Sequence, residues 1–481
     1  MASGMALPYR AIETVKREQS VLKMPEQILD RPAPEASGSG SDIRPFTVTN
    51  RSVLNIAGPM TAAYISVPLV GLVDTAVIGQ LGVASLIGGI AIGAIILDIL
   101  LTSFNFLRAC CSLASTAQAF GAVDAKEQQA VLARALILAL GLGLAVIAVK
   151  VPLITVGVWL MEAEKAVAEV VRTYLQVRVW AAPFILANFV LLGWLLGLGQ
   201  ARTVLLLSAI YGLANIVLSI WFVLRLDWGV AGVAGASVLA ELIAFVAAIP
   251  FIIRQLPRNV RPSFRRIAER AGYLRLLAVN RDIMIRSFSL IFAFAFFARQ
   301  GAQFGEVILA ANAILMHFFM ISGYLLDGFA TAAEQLAGRA VGAKYRPAFD
   351  RTVRLTLVWG FAIAAILASV YGLFGTMLID VITTAEDVRE TAYRYLVWAA
   401  LTPLAGVLAF QMDGIFIGAT WSRDMRNMML ISLAIYLMVW ALATPLWGND
   451  GLWLSLLVFL GARGFTLQRR MAGNLRRTFP T

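Results

Sequence analysis

The chain has 481 residues, 60% of them hydrophobic and only 14% charged, with a formal charge of +12. Soluble domains average roughly 25% charged residues, so this composition excludes a water-soluble globule. The basic excess reads as the Lys/Arg bias of cytoplasmic membrane loops, not as a nucleic-acid surface.

Residues 1–50 are polar, with Arg31-Pro32-Ala33-Pro34 and Ser37-Gly38-Ser39-Gly40-Ser41, and read as a flexible cytoplasmic tail without a secretion signal. Ala11 to Leu29 has the pattern of a short amphipathic helix. Long apolar runs then recur near 52–79, 86–119, 128–150, 168–198, 203–225, 229–253, 273–300, 306–337, 351–375, 388–417, 425–447 and 451–467. Each approaches the ~20 residues a helix needs to cross hydrocarbon. The runs are continuous and not alternating, which favours helices over a barrel. The fold class expected is an all-α membrane protein of about twelve transmembrane helices. Cys110 and Cys111 are neighbours within one run, a spacing that rarely bridges, so no structural disulfide is expected.

Even-numbered joints hold the bases. Arg254, Arg258, Arg261, Arg265, Arg266 and Arg270 lie between the sixth and seventh spans, and Arg339, Lys344, Arg346 and Arg351 follow the eighth. Arg202, Arg423 and Arg426 lie in two further even joints, and Arg469, Arg470, Arg476 and Arg477 in the C-terminal tail. Gln80–Val83 has no base. Positive charge stays inside, so both termini are expected in the cytoplasm of a multi-pass inner (plasma) membrane protein.

An internal repeat is visible. Tyr174-Leu175 and Trp180-Ala181-Ala182-Pro183 lead to Gly199; Tyr395-Leu396, Trp398-Ala399-Ala400 and Pro403 lead to Gly418; Gly121-Ala122 matches Gly342-Ala343. An even number of spans per repeat leaves both halves facing the same way, as two pseudo-symmetric six-helix lobes able to rock about a cleft. The expected division is a tail at 1–50, a first lobe at 51–253, a basic linker at 254–272, a second lobe at 273–467 and a basic tail at 468–481.

Charges in hydrocarbon are costly and need a reason. Asp74 follows Pro68 and Gly71 in Val67–Val77 with no base in its own span. An acid in low dielectric is suited to take up and release a proton. Asn215 and Ser219, one turn apart in the fifth span, and Ser237 in the sixth could line the same pocket. Asp98 is a further candidate. In the second lobe, Asp282 and Arg286 are spaced to pair at i,i+4, and Arg299 falls close to the repeat counterpart of Asp74. These three read as substrate-cavity or structural charges. Asp327, Glu334, Arg339 and Asp413 read as structural pairs nearer the cytoplasmic ends, and His317, the only histidine, as a helix–helix hydrogen bonder. The free acid thus belongs to the first lobe and the bases to the second. No G-x-x-x-x-G-K-[ST] cradle or H-E-x-x-H motif is present. No catalytic residue, metal ligand or cofactor is assigned, and coupling must come from an ion gradient.

Several motifs together carry a resemblance. Asn55-Ile56-Ala57-Gly58-Pro59 and Pro68 to Gly82, Gln118-Ala119-Phe120-Gly121-Ala122, Leu326-Asp327-Gly328-Phe329-Ala330 with Gly338-Arg339-Ala340, and Asp413 to Thr420 resemble the MATE multidrug and toxin extrusion family, DinF branch, over roughly residues 50–465. The resemblance implies export of organic compounds in exchange for H⁺ or Na⁺. It also implies a cation-binding cluster holding Asp74, Asn215 and Ser237. Ser219 stands where many relatives carry a second acid. Hard cations want several oxygens and more charge, so H⁺ coupling through Asp74 is expected, with Na⁺ as the alternative, for which Asp98 or Glu241 would be the missing ligand. The partners expected are a small organic substrate, the coupling ion and the bilayer, with no nucleic acid and a monomeric chain. A lipid-linked precursor flippase is the competing reading, which a basic cavity around Arg286 and Arg299 would favour.

Overall fold

The computed structural model describes residues 43–81, 83–102, 104, 107–161, 165–256 and 264–480. The tail up to residue 42, with its amphipathic stretch, lies outside the described residues, as do Arg258 and Arg261 and the side chains of Cys110, Cys111 and Arg265. Regular structure among the described residues is helical throughout.

The helices are α1 Asn50–Gly79, α2 Ala84–Thr102, a π-helix at Leu107–Ala114, α3 Ser115–Gly121, α4 Ala125–Ala148, α5 Lys150–Leu160, α6 Lys165–Arg178, a 3₁₀ turn at Val179–Ala181 and α7 Ala182–Gly197. They continue with α8 Ala201–Leu224, α9 Gly229–Gln255, α10 Phe264–Ile267, α11 Arg270–Ala302, α12 Glu306–Gly342, α13 Arg346–Ile382, α14 Glu386–Gly418, α15 Ser422–Trp447 and α16 Asn449–Thr478. Ten of the described helical runs are long and apolar enough to cross a membrane, α6 and α7 counting as one. The broken run α2–π–α3 and the more polar α11 supply the second and seventh spans, completing two sets of six.

Local sequence explains the ends and breaks. Thr49 caps α1, accepting from the Ser52 backbone N–H while Ser52 answers in a capping box. Pro183 at the start of α7 lacks an amide hydrogen, which suits the 3₁₀ turn before it. The second span is not the uniform helix expected; it contains a π-helix whose Ser112 donates to the Val190 carbonyl at 2.6 Å. The stretch expected as a basic tail is mostly helical, because α16 runs on to Thr478 and Trp421 Nε1 reaches Thr478 Oγ1 at 3.1 Å.

The two halves repeat at a constant spacing. Left-handed backbone recurs at Val123 and Lys344, Gly199 and Thr420, and Asp227 and Gly448, each pair 221 residues apart (344−123, 420−199, 448−227). The partner of Gly199 is therefore Thr420, not Gly418. Gly418 instead repeats Gly197.

Symmetry also governs the seam between the halves. A Cβ on Gly121 would overlap the Arg339 carbonyl, and one on Gly342 would overlap the Gln118 carbonyl. Residues 118 and 339 are themselves repeat partners, so α3 and the end of α12 cross backbone to backbone about a local two-fold axis. Gln118 donates to Gly418 O at 2.8 Å, and Tyr64 and Thr331 hydroxyls meet at 2.9 Å. The segment before α1 straps the same end. Arg44 N–H donates to Ala343 O at 3.0 Å while its guanidinium donates to Ala122 O. Arg339 lies over both Phe46 and Phe120, and Arg351 Nε donates to Val48 O at 2.6 Å. Farther along, the faces of α1 and α12 that meet at Thr61 and Leu325 (3.4 Å) continue to Ile65, Leu69 and Leu72 and to Ile321 and His317, all exposed. The halves are thus sealed at one end and parted at the other.

Candidate functional site

The site is built on α8, which packs against both α1 and α9. Asn215 and Ser219 lie one turn apart on its buried face, both with no exposed surface. Ser219 Oγ donates to Asp74 Oδ1 at 2.7 Å. Asn215 Nδ2 donates to Ser237 Oγ at 2.8 Å. Four residues singled out in sequence, on three helices, therefore form two linked pairs on one strip of α8. Asn215 Oδ1 is enclosed without a hydrogen-bond partner among the described residues. Asp74 is half-buried, its helix bearing Pro68 and Gly71 just before it.

The surroundings correct one expectation. Asp74 is not an acid isolated from base: Arg178, at the end of α6 and only 7% exposed, lies in its electrostatic reach. The same guanidinium faces Tyr211, Tyr174 and Glu241, and also acts on Asp98. Glu241 accepts from Asn188 Nδ2 at 2.7 Å. Three carboxyls thus share one enclosed arginine, which keeps a cluster of charges viable where water is scarce. Asp98 is exposed, has no hydrogen bond among the described residues, and lies within reach of Tyr324 on α12. It faces the other half across the parting and does not join the α8 strip.

The repeat makes the asymmetry concrete. At 221 residues' spacing, Asn215, Ser219 and Arg178 correspond to Tyr436, Trp440 and Ala399. Counted by that spacing or by the helix ends, Asp74 falls between Ala295 and Phe297. In place of a charge cluster, the second half holds an aromatic one: Phe296 meets Tyr436 and Trp440 edge-on, with centroids 5.8 and 4.8 Å apart. Arg299 is therefore not the counterpart of Asp74; it is exposed in the last turn of α11.

The second-lobe charges pair otherwise than their spacing suggests. Asp282 and Arg286 do not bond to each other. Asp282 accepts from Arg426 at 2.7 Å, with Arg281 at 3.4 Å and Ser422 at 3.2 Å. Arg286 bonds to Asp413, which also takes Arg463 Nη2 at 2.6 Å. Two helices brought close by tertiary packing offered better partners than the neighbouring turn. His317 is exposed, on the α12 face that looks into the parting, and shows no helix–helix hydrogen bond among the described residues.

The family model MatE matches residues 59–221 and again 283–442, one stretch in each half. The chain belongs to the MATE family. It is 37% identical to DNA damage-inducible protein F of Escherichia coli over 88% of this chain and 92% of that one, which fixes the DinF branch. It is 24% identical to a probable multidrug resistance protein NorM of Rhizobium meliloti, covering 89% and 94% of the two chains. A solved MATE structure in a straight conformation shares the fold, with a TM-score of 0.81 at 18% identity over 90% of this chain and 97% of that one. As a MATE protein it is a membrane transporter and not an enzyme.

Sequence reasoning missed Arg178 and named Glu241 only as a ligand for the Na⁺ alternative. Glu241 stands in Ser237-Val238-Leu239-Ala240-Glu241-Leu242-Ile243 and meets the same criterion as Asp74. Arg178 ends a stretch, Lys165–Arg178, whose three other charges (Lys165, Glu169 and Arg172) make it read as an interfacial segment.

Proposed function

We propose that this MATE protein exports lipophilic, often cationic organic compounds by alternating access, in exchange for H⁺. The observation that carries the reading is the Ser219–Asp74 bond on the α8 strip. A half-buried carboxyl that changes charge can bias the packing of α1 against α8, and a substrate that competes with its proton then drives opposite states. One carboxylate and one unengaged amide oxygen are a sparse set for Na⁺, and Ser219 removes the second acid. The likeness to a probable multidrug resistance protein, NorM, supports a multidrug range.

The reading extends to placement. The lobes divide at the basic joint 254–272, both termini and the sealed end lie in the cytoplasm of the inner membrane, and the parting opens outward. The chain works as a monomer. The flippase alternative draws no support from its bases, since Arg286 is bonded to Asp413 and Arg299 stands at a helix end. Proteoliposomes with H⁺ and Na⁺ gradients imposed separately test the proposal: export of a lipophilic cation driven by ΔpH alone is expected. Robust export on a Na⁺ gradient without ΔpH would overturn H⁺ coupling.

A further inference from the structure

A groove of about 450 Å³ runs between α5 and α6, at the end of the first half remote from the seam. Lys150, Ile154 and Thr155 line one wall; Arg172, Gln176 and Trp180 line the other. Arg172, Gln176 and Trp180 recur at i, i+4 and i+8 and are all exposed. The opposite face of the same helical run, Val171, Tyr174, Leu175 and Arg178, is buried in the lobe with the Asp74 cluster. The groove therefore looks outward, toward lipid, and has no part in the site described above.

Its depth can be read from the helix. Lys150 lies 25 residues beyond Ala125 (150−125), roughly 37 Å along the helix at 1.5 Å per residue. That exceeds the ~30 Å hydrocarbon thickness and reaches headgroup level. The Lys150 ammonium lies over the Trp180 ring, 4.5 Å from its centroid, and an indole at that level is a common interface anchor. Among the described residues no carboxylate pairs with Lys150 or Arg172.

We propose that this groove is a binding site for an anionic glycerophospholipid of the leaflet away from the seam. The phosphodiester lies between Lys150 and Arg172, and Gln176 offers a further donor. Charge decides the class. Two bases that no carboxylate pairs among the described residues attract net negative charge, whereas a zwitterionic headgroup would bring its own ammonium against them.

Native mass spectrometry of the full chain in detergent tests this, with phosphatidylglycerol, phosphatidylcholine and inorganic phosphate as probes. Phosphatidylglycerol should be retained in preference to phosphatidylcholine, and inorganic phosphate should not displace it. Lys150→Gln or Arg172→Gln alone should weaken phosphatidylglycerol retention roughly fivefold, and the double variant roughly thirtyfold. Arg225→Gln, which removes an exposed base from the same end of the lobe, should change nothing. Equal retention by the double variant, equal weakening by Arg225→Gln, no preference for the anionic lipid, or displacement by inorganic phosphate would each overturn the site.

Discussion

Ser219 and Asp74, 145 residues apart in sequence, meet through a 2.7 Å hydrogen bond that ties the fifth span of the first lobe, α8, to the first, α1. Asp74→Asn keeps the shape and an acceptor for Ser219 but removes the charge. The variant should insert and fold as the wild type does and lose ΔpH-driven export. Ser219→Ala, which deletes one hydrogen bond worth about 1 kcal/mol, should retain export with a displaced pH profile. Wild-type rates for Asp74→Asn in proteoliposomes would refute the coupling role and turn attention to Asp98.

Arg178 offers a thermodynamic test of the cluster. Arg178→Met leaves Glu241, Asp74 and Asp98 without their shared base, and breaking such a buried arrangement typically costs about 3–5 kcal/mol. The Arg178→Met/Glu241→Gln double variant should recover part of that loss. Chemical denaturation in detergent gives the coupling. Simple additivity of the two changes would mean that Arg178 and Glu241 do not interact.

How much of this was legible in the sequence varies with the physics. Asp74, Asn215, Ser219 and Ser237 could be named because each is a polar residue in an apolar run, and helical spacing puts two of them on one face. Arg178 escaped because its flanks are charged, and only tertiary packing brings α6 into the lobe interior. Asp282 and Arg286 were misassigned to each other because i,i+4 spacing reports nearness on one helix and is blind to Arg426 and Asp413 arriving from others. Span count and repeat were readable from hydropathy and matched motifs; the π-helix of the second span has no apolar-period signal.

Asp413 becomes a stability residue. It is buried, with Arg286 and Arg463 both on Oδ2. Asp413→Asn should cost about 3–5 kcal/mol, since it leaves two guanidiniums against a neutral amide. A melting temperature in detergent indistinguishable from the wild type would contradict the pairing.

The seam has a steric test. Gly342→Ala places a methyl on the Gln118 carbonyl, so α3 and α12 must separate. Spin labels at Val123 and Lys344 should then report a longer and broader distance distribution. Gly58→Ala, where no atom lies within 4 Å of the new methyl, is the control. An unchanged distribution for Gly342→Ala would show that the halves do not touch there in the membrane.

Asp124 carries a pH signature outside the membrane. Burial works against its charged form, yet the Glu127 N–H (3.0 Å) and Arg266 (3.2 Å) outweigh that and hold it below the ordinary carboxylate range. A carboxyl lowered on folding adds stability above its unfolded pKa and loses it as pH falls through the folded value. Asp124→Ala should remove an N-cap worth about 1 kcal/mol at neutral pH, and the difference from wild type should shrink in acid. A difference that grows on acidification would exclude this assignment.

The strap ahead of α1 has a consequence for how the chain is made. Val48 and Asn50 find their partners at Arg351 and Trp359, 303 and 309 residues later. At synthesis rates of about 5–20 residues per second, roughly 15–60 s pass before those partners leave the ribosome. During that interval the first helix can insert, and Arg44 can reach Ala122, but Val48 and Asn50 lack these partners. These two contacts of an early segment are thus among the last to form, and a nascent chain halted before residue 351 would leave Val48 and Asn50 without them.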